Sequence, residues 1–381
     1  MPDFDVVVAG GSISGLLTAR EAAAGGASVV VFEEDAEIGT PEHCGGLVSM
    51  NGIKKLGIVP DACAVENDRI KKARILSSSA GFELNAEKQK VVVLDRRALD
   101  KQAAFQAQHA GAEVRVKCSV RSVQNNGSGY TIRTSDGEVT CDYFVDARGV
   151  ASIISRNREG VLSSAQYEIF APWIARDTIE VAFDSVRYPG FFGWIVPTGE
   201  ARGKVGVAGK GINAALALKS YLDSKGRFST IRKVYAPIWV GGPVAQFKDG
   251  RMVTVGDAAG QTKPTTAGGI YTCGMGGILA GRAIAKTIAG GDSLDYKPAW
   301  LSMFGEEFEK MLLARRLFER LDNKAIDELF ASVPNEKLEE ASSTGDFDFH
   351  SAALSKVLSV KSAALMAKAL LGNEIRRLFD G

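Results

Sequence analysis

The sequence predicts an α/β protein in which a Rossmann-type nucleotide-binding domain with a β-meander is joined to a mainly antiparallel β-sheet substrate domain and a helical C-terminal region. Three observations predict it. Two short apolar runs, Val6 to Ala9 and Val29 to Phe32, flank a glycine-rich turn and a stretch of small aliphatic residues, which is the layout of one βαβ unit. Three alternating segments in the middle of the chain are separated by turn sequences. From about Asp295 onward the pattern is helical.

Taken in order, Val6 to Ala9 reads as a buried parallel strand, because a wholly apolar run leaves no polar face for water. Gly15 to Ala24 reads as a helix closed by Gly25-Gly26, and Val29 to Phe32 as the second strand. Ile75 to Val93 alternates around a Ser-Ala-Gly turn, which predicts a hairpin in a separate sheet. Leu99 to His109 follows as a helix, with Arg96 just ahead of it. Glu113 to Val120, Gly129 to Arg133 and Glu138 to Val145 make the meander, with Asn125-Asn126-Gly127 and Asp136-Gly137 as turns. Residues 165 to 208 form a strand-rich, aromatic block assigned to the substrate sheet, and a charged helix near Ala214 to Ser224 separates it from the rest of the chain. Arg251 to Val255 returns as a buried strand ending in Gly256-Asp257, and a glycine-rich loop leads into another helix of small residues. The expected domains are residues 1–60, 91–160 and 245–290 for the nucleotide, 61–90 and 161–244 for substrate, and 291–381 for the helical region.

Composition removes several function classes. The 46 Lys and Arg nearly cancel 45 Asp and Glu, so no field is available to hold nucleic acid by counterion release. Cys44, Cys63, Cys118, Cys141 and Cys273 are odd in number, scattered and without metal-site spacing, which fits a reducing compartment. The first residues run directly into a strand without the features of a secretory signal. The most apolar stretch, Gly268 to Ile288, is interrupted by Gly274, Gly276, Gly277, Gly281 and Arg282 and falls short of the roughly 20 apolar residues of a membrane span. The expectation is a cytoplasmic protein, with peripheral contact at the inner face of the membrane left open. Two readings of the amphipathic stretch Leu354 to Leu371 bear on that contact: a membrane-surface face carrying Lys356, Lys361 and Lys368, or a helix packed on the nucleotide domain.

The strongest local motif is Gly10-Gly11-Ser12-Ile13-Ser14-Gly15, at the turn from strand to helix. In such a turn the first glycine makes the bend, the second position lets the backbone approach a pyrophosphate, and the third lets helix and strand pack closely. Ser12 occupies the second position, small enough to keep the approach open. The helix start offers free N–H groups and a partial positive charge, and Glu33 at the end of the second strand can accept both ribose hydroxyls. A second motif, Gly256-Asp257-Ala258-Ala259-Gly260 followed by Pro264 and Gly268-Gly269-Ile270, repeats this anion-binding chemistry nearly 250 residues later. There an aspartate can hold a ribityl hydroxyl while bare N–H groups meet the pyrophosphate and a flavin ring. Two such loops predict one dinucleotide, FAD, clamped from both ends of the chain.

Together with Arg96 and the segment Asp146-Ala147-Arg148-Gly149 with Ser152, these motifs resemble the p-hydroxybenzoate-hydroxylase-like flavoprotein superfamily. Within it the chain is similar to the geranylgeranyl reductase group, on the strength of His43-Cys44-Gly45-Gly46, Gln166-Tyr167-Glu168, and the run from Pro189-Gly190-Phe191-Phe192 through Trp194 to Pro197. The resemblance implies FAD contacts at Gly10, Ser12, Ile13, Ser14, Gly15, Glu33, Cys44, Gly45, Arg96, Val120, Gly256, Asp257, Pro264, Gly268, Gly269 and Ile270. It implies substrate contacts at Tyr167, Tyr188, Phe191, Trp194 and Pro197, with Trp194 and Tyr188 the leading pocket residues.

The activity so implied is hydrogenation of isolated C=C bonds in long isoprenoid chains, such as the geranylgeranyl groups of ether lipids or a prenylated pigment or quinone. The partners would be a prenylated lipid and an electron donor; with no second nucleotide fingerprint in the sequence, ferredoxin, NAD(P)H binding transiently and another donor all stay open. Cys44 has three readings: proton donor, redox-sensitive gate, or small packing residue. The remaining cysteines read as packing residues, and His109 and His350 carry no usable signal. Two rival functions share the cofactor motifs: an FAD-dependent monooxygenase, with a halogenase as its variant, and a prenyl-lipid binder that keeps FAD as structure.

Overall fold

In the computed structural model, which describes residues 1–152, 159–291, 294–344 and 346–351, the chain opens with the expected βαβ unit. Strand β1 (Phe4–Ala9) leads into helix α1 (Ile13–Ala24) and returns as β2 (Val29–Phe32). The two strands pair in parallel, Val6 beside Val29 and Ala9 beside Phe32. Val6, Val7 and Val8 are fully buried, as a parallel strand covered on both faces requires.

Next come β3 (Leu47–Ser49), α2 (Met50–Lys55), β4 (Val65–Asn67), β5 (Lys72–Leu76), β6 (Gly81–Asn85), β7 (Val91–Leu94) and α3 (Arg96–His109). The expected hairpin is β5 with β6, but Val91 to Leu94 leaves it. Lys90, at φ 47°, turns the chain, and β7 lies between β3 and β4 in a small antiparallel sheet. Helix α3 begins three residues earlier than expected. The Asp95 carboxylate accepts from the Arg97 N–H, capping the helix and making Arg96 its first residue.

Strands β8 (Glu113–Arg115), β9 (Val120–Asn125), β10 (Tyr130–Thr134) and β11 (Glu138–Asp146) follow. The segment Glu113 to Val120 is therefore two strands rather than one arm of the meander. Lys117, at φ 57°, breaks it; β8 pairs in parallel with β2, and the meander is β9, β10 and β11. The chain continues through β12 (Val161–Phe170), β13 (Thr178–Ala182), β14 (Gly193–Gly199), β15 (Arg202–Gly209), α4 (Ala214–Lys225), β16 (Ser229–Trp239), β17 (Lys248–Asp249) and β18 (Met252–Thr254). Helix α4 does not end the substrate-side sheet, because β16 returns to pair along the whole of β12. Helices α5 (Ile270–Ile288), α6 (Lys297–Phe318), α7 (Asn323–Ala331) and α8 (Asn335–Thr344) complete the described chain. The stretch Leu354 to Leu371 lies outside the described residues. No described helix is long and apolar enough to cross a membrane.

Two large sheets carry the architecture. The first runs β17-β18-β11-β1-β2-β8, with the meander branching from β11; β18, β11, β1, β2 and β8 are parallel. The second runs β16-β12-β15-β14-β13-β5-β6 and is antiparallel except where β13 meets β5. Helices α1 and α5 pack against each other through the glycines of α5. A Cβ on Gly277 would lie 2.2 Å from the Ser14 carbonyl oxygen, and one on Gly281 2.4 Å from that of Thr18. Small residues are required wherever two helix backbones come this close.

Candidate active site

At the carboxyl edge of the parallel sheet Ala9, Asp146 and Thr254 lie in register on adjacent strands, so the loops that follow β1, β11 and β18 emerge side by side. This is the crevice where α/β sheets bind nucleotides. The two glycine motifs meet there: a Cβ on Gly256 would lie 2.4 Å from Ser14 Oγ. A cavity of about 1070 Å³ opens from this edge. Its wall includes Gly10, Ser12, Ile13, Ser14, Glu33, Cys44, Gly45, Arg96, Val120, Gly256, Asp257, Gly268, Gly269, Ile270, Phe191 and Trp194. Sequence reasoning had singled out every one of these.

The polar end suits FAD. Gly10 turns at φ 108°, with a missing Cβ that would fall 2.5 Å from the Ala147 carbonyl oxygen. The Ser12 hydroxyl makes no cap hydrogen bond to α1, which leaves first-turn N–H groups for an anion. The Glu33 carboxylate accepts from the Gly11 N–H at 2.7 Å and the Asp35 N–H at 2.9 Å, one on each oxygen, and burial raises its pKa. Asp257 accepts from the Thr262 hydroxyl and, at 3.6 Å, from the Cys273 thiol, both on Oδ1; burial raises its pKa too. Arg96 grips Asp100 with two bonds of 2.9 Å, yet its Nε is buried with no partner. A buried donor left unpaired costs about 1–3 kcal/mol, and this one stands in the cavity wall, where a ligand oxygen would satisfy it.

Cys44 sits at the bend of a loop that the second sheet holds by its backbone. Gln166 Nε2 donates to the Cys44 carbonyl at 3.2 Å, and Trp194 Nε1 donates to Gln166 Oε1 at 3.2 Å. Two residues earlier, the fully buried Glu42 accepts from Lys204 Nζ at 2.7 Å, from the Arg96 N–H at 3.0 Å and from Arg232. Lys204, itself without exposure, also donates to Glu66 at 2.7 Å. Burial opposes its charge, but Glu42 and Glu66 outweigh burial and keep its pKa above the usual value. The Cys44 thiol accepts from the Gly46 N–H at 3.3 Å. It also lies in the field of Arg96, where burial is outweighed by Asp100 and then Cys44, so the guanidinium stays charged.

The second sheet sorts the remaining expectations by strand alternation. Gln166, Trp194 and Val196 line the cavity, and Gly206, opposite Trp194, makes room for the indole: a Cβ there would fall 2.2 Å from the ring. Tyr167 and Pro197, one residue along each strand, point away, since successive side chains alternate between faces. Tyr167 packs in the core behind the sheet with Ile195, and its hydroxyl meets that of Tyr235 at 2.9 Å. Tyr188 belongs to that core as well, edge-on to Tyr221 at 5.9 Å, and borders a separate cleft of about 380 Å³. Pro264 is buried behind the glycine loop, its carbonyl accepting from Arg315 at 3.2 Å. Gly15 braces α1 against the turn, its missing Cβ 2.1 Å from the Gly10 carbonyl oxygen. These five therefore do not line the cavity.

Sequence reasoning passed over Lys204, Lys263 and His350. Lys204 carried a signal, a cation followed in its strand only by valine, glycine and alanine. Lys263 lines the cavity, and so does His350 in the segment 346–351, a strap fastened at the cavity wall. There Ser49 donates to Asp348 at 2.5 Å, Glu307 accepts from the Ser351 N–H at 2.7 Å, and Lys263 donates to the Phe347 carbonyl at 2.9 Å. His350 Nε2 faces that same carbonyl at 2.9 Å and Nδ1 faces the Thr265 hydroxyl at 2.8 Å. The carbonyl requires a proton on Nε2, and in the neutral ring the Thr265 hydroxyl then donates to Nδ1. Burial, and then Lys263, lower its pKa from 6.5 to about 3. The released strap therefore binds a proton more readily between those values, and attachment, complete above pH 6.5, weakens as pH falls toward 3. Protection of the amides of residues 346–351, taken as the exchange rate relative to the intrinsic rate at each pH, should fall as pH falls across that window, and His350→Asn should flatten the dependence; pH-independent protection in the wild type would contradict it.

Comparison with known proteins gives a consistent family. The FAD binding domain model matches residues 3–193. Digeranylgeranylglycerophospholipid reductase 2 of Methanothermobacter thermautotrophicus is 31% identical over 369 residues, covering 89% of this chain and 94% of that protein. Digeranylgeranylglycerophospholipid reductase 1 of Methanopyrus kandleri is 31% identical over 362 residues, covering 87% and 95%. The crystal structure of a geranylgeranyl bacteriochlorophyll reductase-like protein from Thermoplasma acidophilum superposes with a TM-score of 0.80 at 24% identity, covering 96% of this chain and 98% of that one.

Proposed function

Because this chain belongs to the FAD binding domain family and, within it, to the geranylgeranyl reductases, we propose that this FAD-dependent oxidoreductase saturates isolated C=C bonds in the isoprenoid chains of membrane ether lipids. One observation carries the reading. One cavity runs from the carboxyl edge of the parallel sheet to an apolar wall of Ile75, Phe82, Leu84, Ile179, Val181 and Phe330, and the Cys44 loop lines the same cavity. A polar aromatic substrate would leave such a wall unused; a prenyl chain would fill it.

FAD held at this edge would supply the redox chemistry, its reduced form serving as hydride donor to one alkene carbon, with its two electrons restored by an external donor such as ferredoxin, one electron at a time, or a nicotinamide nucleotide. The protein's own task is then placement and a proton. An unactivated alkene offers no carbonyl to polarise, so the rate depends on holding the double bond in place and excluding water. Phe191 and Phe192, stacked at 4.1 Å, with Trp194 edge-on to both, provide a rigid aromatic rest for the chain. Cys44 Sγ holds the proton for the second carbon, and the thiolate left behind stands in the field of the Arg96 guanidinium. Glu42, Lys204 and Gln166 keep the thiol in place.

The deciding experiment is anaerobic incubation of dithionite-reduced holoprotein with a geranylgeranyl ether-lipid extract, followed by mass spectrometry. Product masses should rise in steps of two hydrogen atoms. Oxygen- and NAD(P)H-dependent hydroxylation, or flavin that no donor reduces, would replace this reading with a monooxygenase or a non-catalytic lipid binder.

A further inference from the structure

We propose that Lys263 is the counter-cation of reduced FAD: an ammonium built into the cavity wall beside the Gly268-Gly269 loop, whose charge favours binding of the two-electron-reduced, anionic cofactor over the oxidised one. The inference rests on FAD occupying this cavity with its ring against that loop, and does not depend on which substrate is reduced.

The position is set by the fold. Lys263 follows the Asp257 loop and is 4% exposed. A Cβ on Gly268 would lie 3.2 Å from its Cε and 3.7 Å from its Nζ, so the amine lies beside the backbone that leads into α5. The positive end of that helix adds to its field.

The partners are unusual for a buried cation. Nζ donates to the Phe347 carbonyl at 2.9 Å, stands 3.5 Å from His350 Nε2, and lies 4.6 Å from the centroid of the Phe347 ring. Among the described residues no carboxylate lies within 4.0 Å of it. Asp348, Asp346 and Glu307 attract it only from farther off, and burial dominates, lowering its pKa from 10.5 to about 8. It therefore still carries charge at neutral pH. Lys204 shows how this protein treats a buried lysine whose task is structural: two carboxylates sit at 2.7 Å. Burying a charge without such a partner is costly, and the cost is recovered when a ligand brings the missing anion.

Reduction of FAD provides that anion. Uptake of two electrons and one proton, FAD + 2e⁻ + H⁺ → FADH⁻, leaves a net negative charge on the ring, and nearby protein charge tunes the electronics of the cofactor. A cation at this wall stabilises the product of reduction more than its precursor, which raises the midpoint potential.

The test uses holoenzyme in three forms. Lys263→Gln keeps an N–H donor for the Phe347 carbonyl and removes the charge; Lys263→Met removes both; Lys263→Arg keeps the charge. Each is titrated with dithionite against a reference dye, and oxidised FAD affinity is measured by fluorescence. Expected is a loss of about tenfold in the preference for reduced over oxidised FAD in both Gln and Met, a fall of about 30 mV for a two-electron couple, with oxidised affinity within about twofold. Lys263→Arg should stay near the wild type. An unchanged potential in Lys263→Gln would overturn the proposal and leave Lys263 as an anchor of the strap. If the Gln and Met forms load FAD too poorly to titrate, the Arg form decides: a fall of about 30 mV in it, despite the retained charge, also overturns the proposal.

Discussion

Gly10→Val is expected to produce a folded, colourless protein. At φ 108° Gly10 occupies backbone space that a side chain rarely enters, and its Cβ would arrive 2.5 Å from the Ala147 carbonyl oxygen and 2.8 Å from its carbonyl carbon. Both are backbone atoms of the loop after β11, so no side-chain rotation relieves the contact. The strain costs about 1–3 kcal/mol, and relief requires the turn after β1 to withdraw from the loops it must meet. FAD affinity should fall by at least about a hundredfold, near 2.8 kcal/mol at 1.4 kcal/mol per factor of ten, seen as loss of flavin absorbance per mole of protein. Gly26→Ala is the control, because Gly26 has a similar φ of 92° but nothing within 4 Å of its Cβ. It should lose stability and keep its colour. Wild-type flavin content in Gly10→Val would remove the turn from the cofactor site.

The range of each interaction decided whether it could be read from the sequence. The first βαβ unit was legible because each parallel strand is a short apolar run and the turn between them demands glycine, both local facts. The convergence of the loops near residues 10 and 257 was inferred from chemistry, and the close approach of Gly256 to Ser14 gives it a structural basis. The meander was half legible: a single positive-φ residue, Lys117, moved one segment to the far edge of the same sheet, beside β2. Tyr167 and Pro197 were misplaced because alternation fixes which residues share a face but not which face meets the cofactor. Tyr188 lies in the loop between β13 and β14, outside any strand alternation, and that loop turns its ring into the core behind the sheet. The Glu42–Lys204–Glu66 cluster could not be assembled from the chain, since Lys204 lies 162 and 138 residues from its partners. His350 was set aside on sequence grounds, and its partner Thr265 is 85 residues away.

Cys44→Ser is expected to keep FAD and lose reduction of the lipid. The loop is held through atoms that the substitution spares: the Cys44 carbonyl by Gln166 and the Glu42 carboxylate by Lys204 and Arg232. A serine Oγ is close in size to Sγ and still accepts from the Gly46 N–H, so the change isolates the proton. A hydroxyl parts with its proton far less readily than a thiol. The loss should reach about 10²-fold or more, the scale of a positioned general acid, in anaerobic single-turnover reoxidation of reduced holoenzyme by lipid. The apparent affinity for lipid should move by less than about threefold, since the apolar wall is untouched. The three readings of Cys44 then separate. A proton donor lowers the single-turnover rate in both Ser and Ala variants. A redox gate leaves both variants active and abolishes only the inhibition of the wild type by oxidants. A packing residue shows its effect in thermal stability, with Ala worse than Ser and turnover intact. Lys204→Met supplies the last control, because it releases the loop without touching the thiol. If the proton must be delivered from a fixed position, that variant should lose reductase rate while Cys44 is still present.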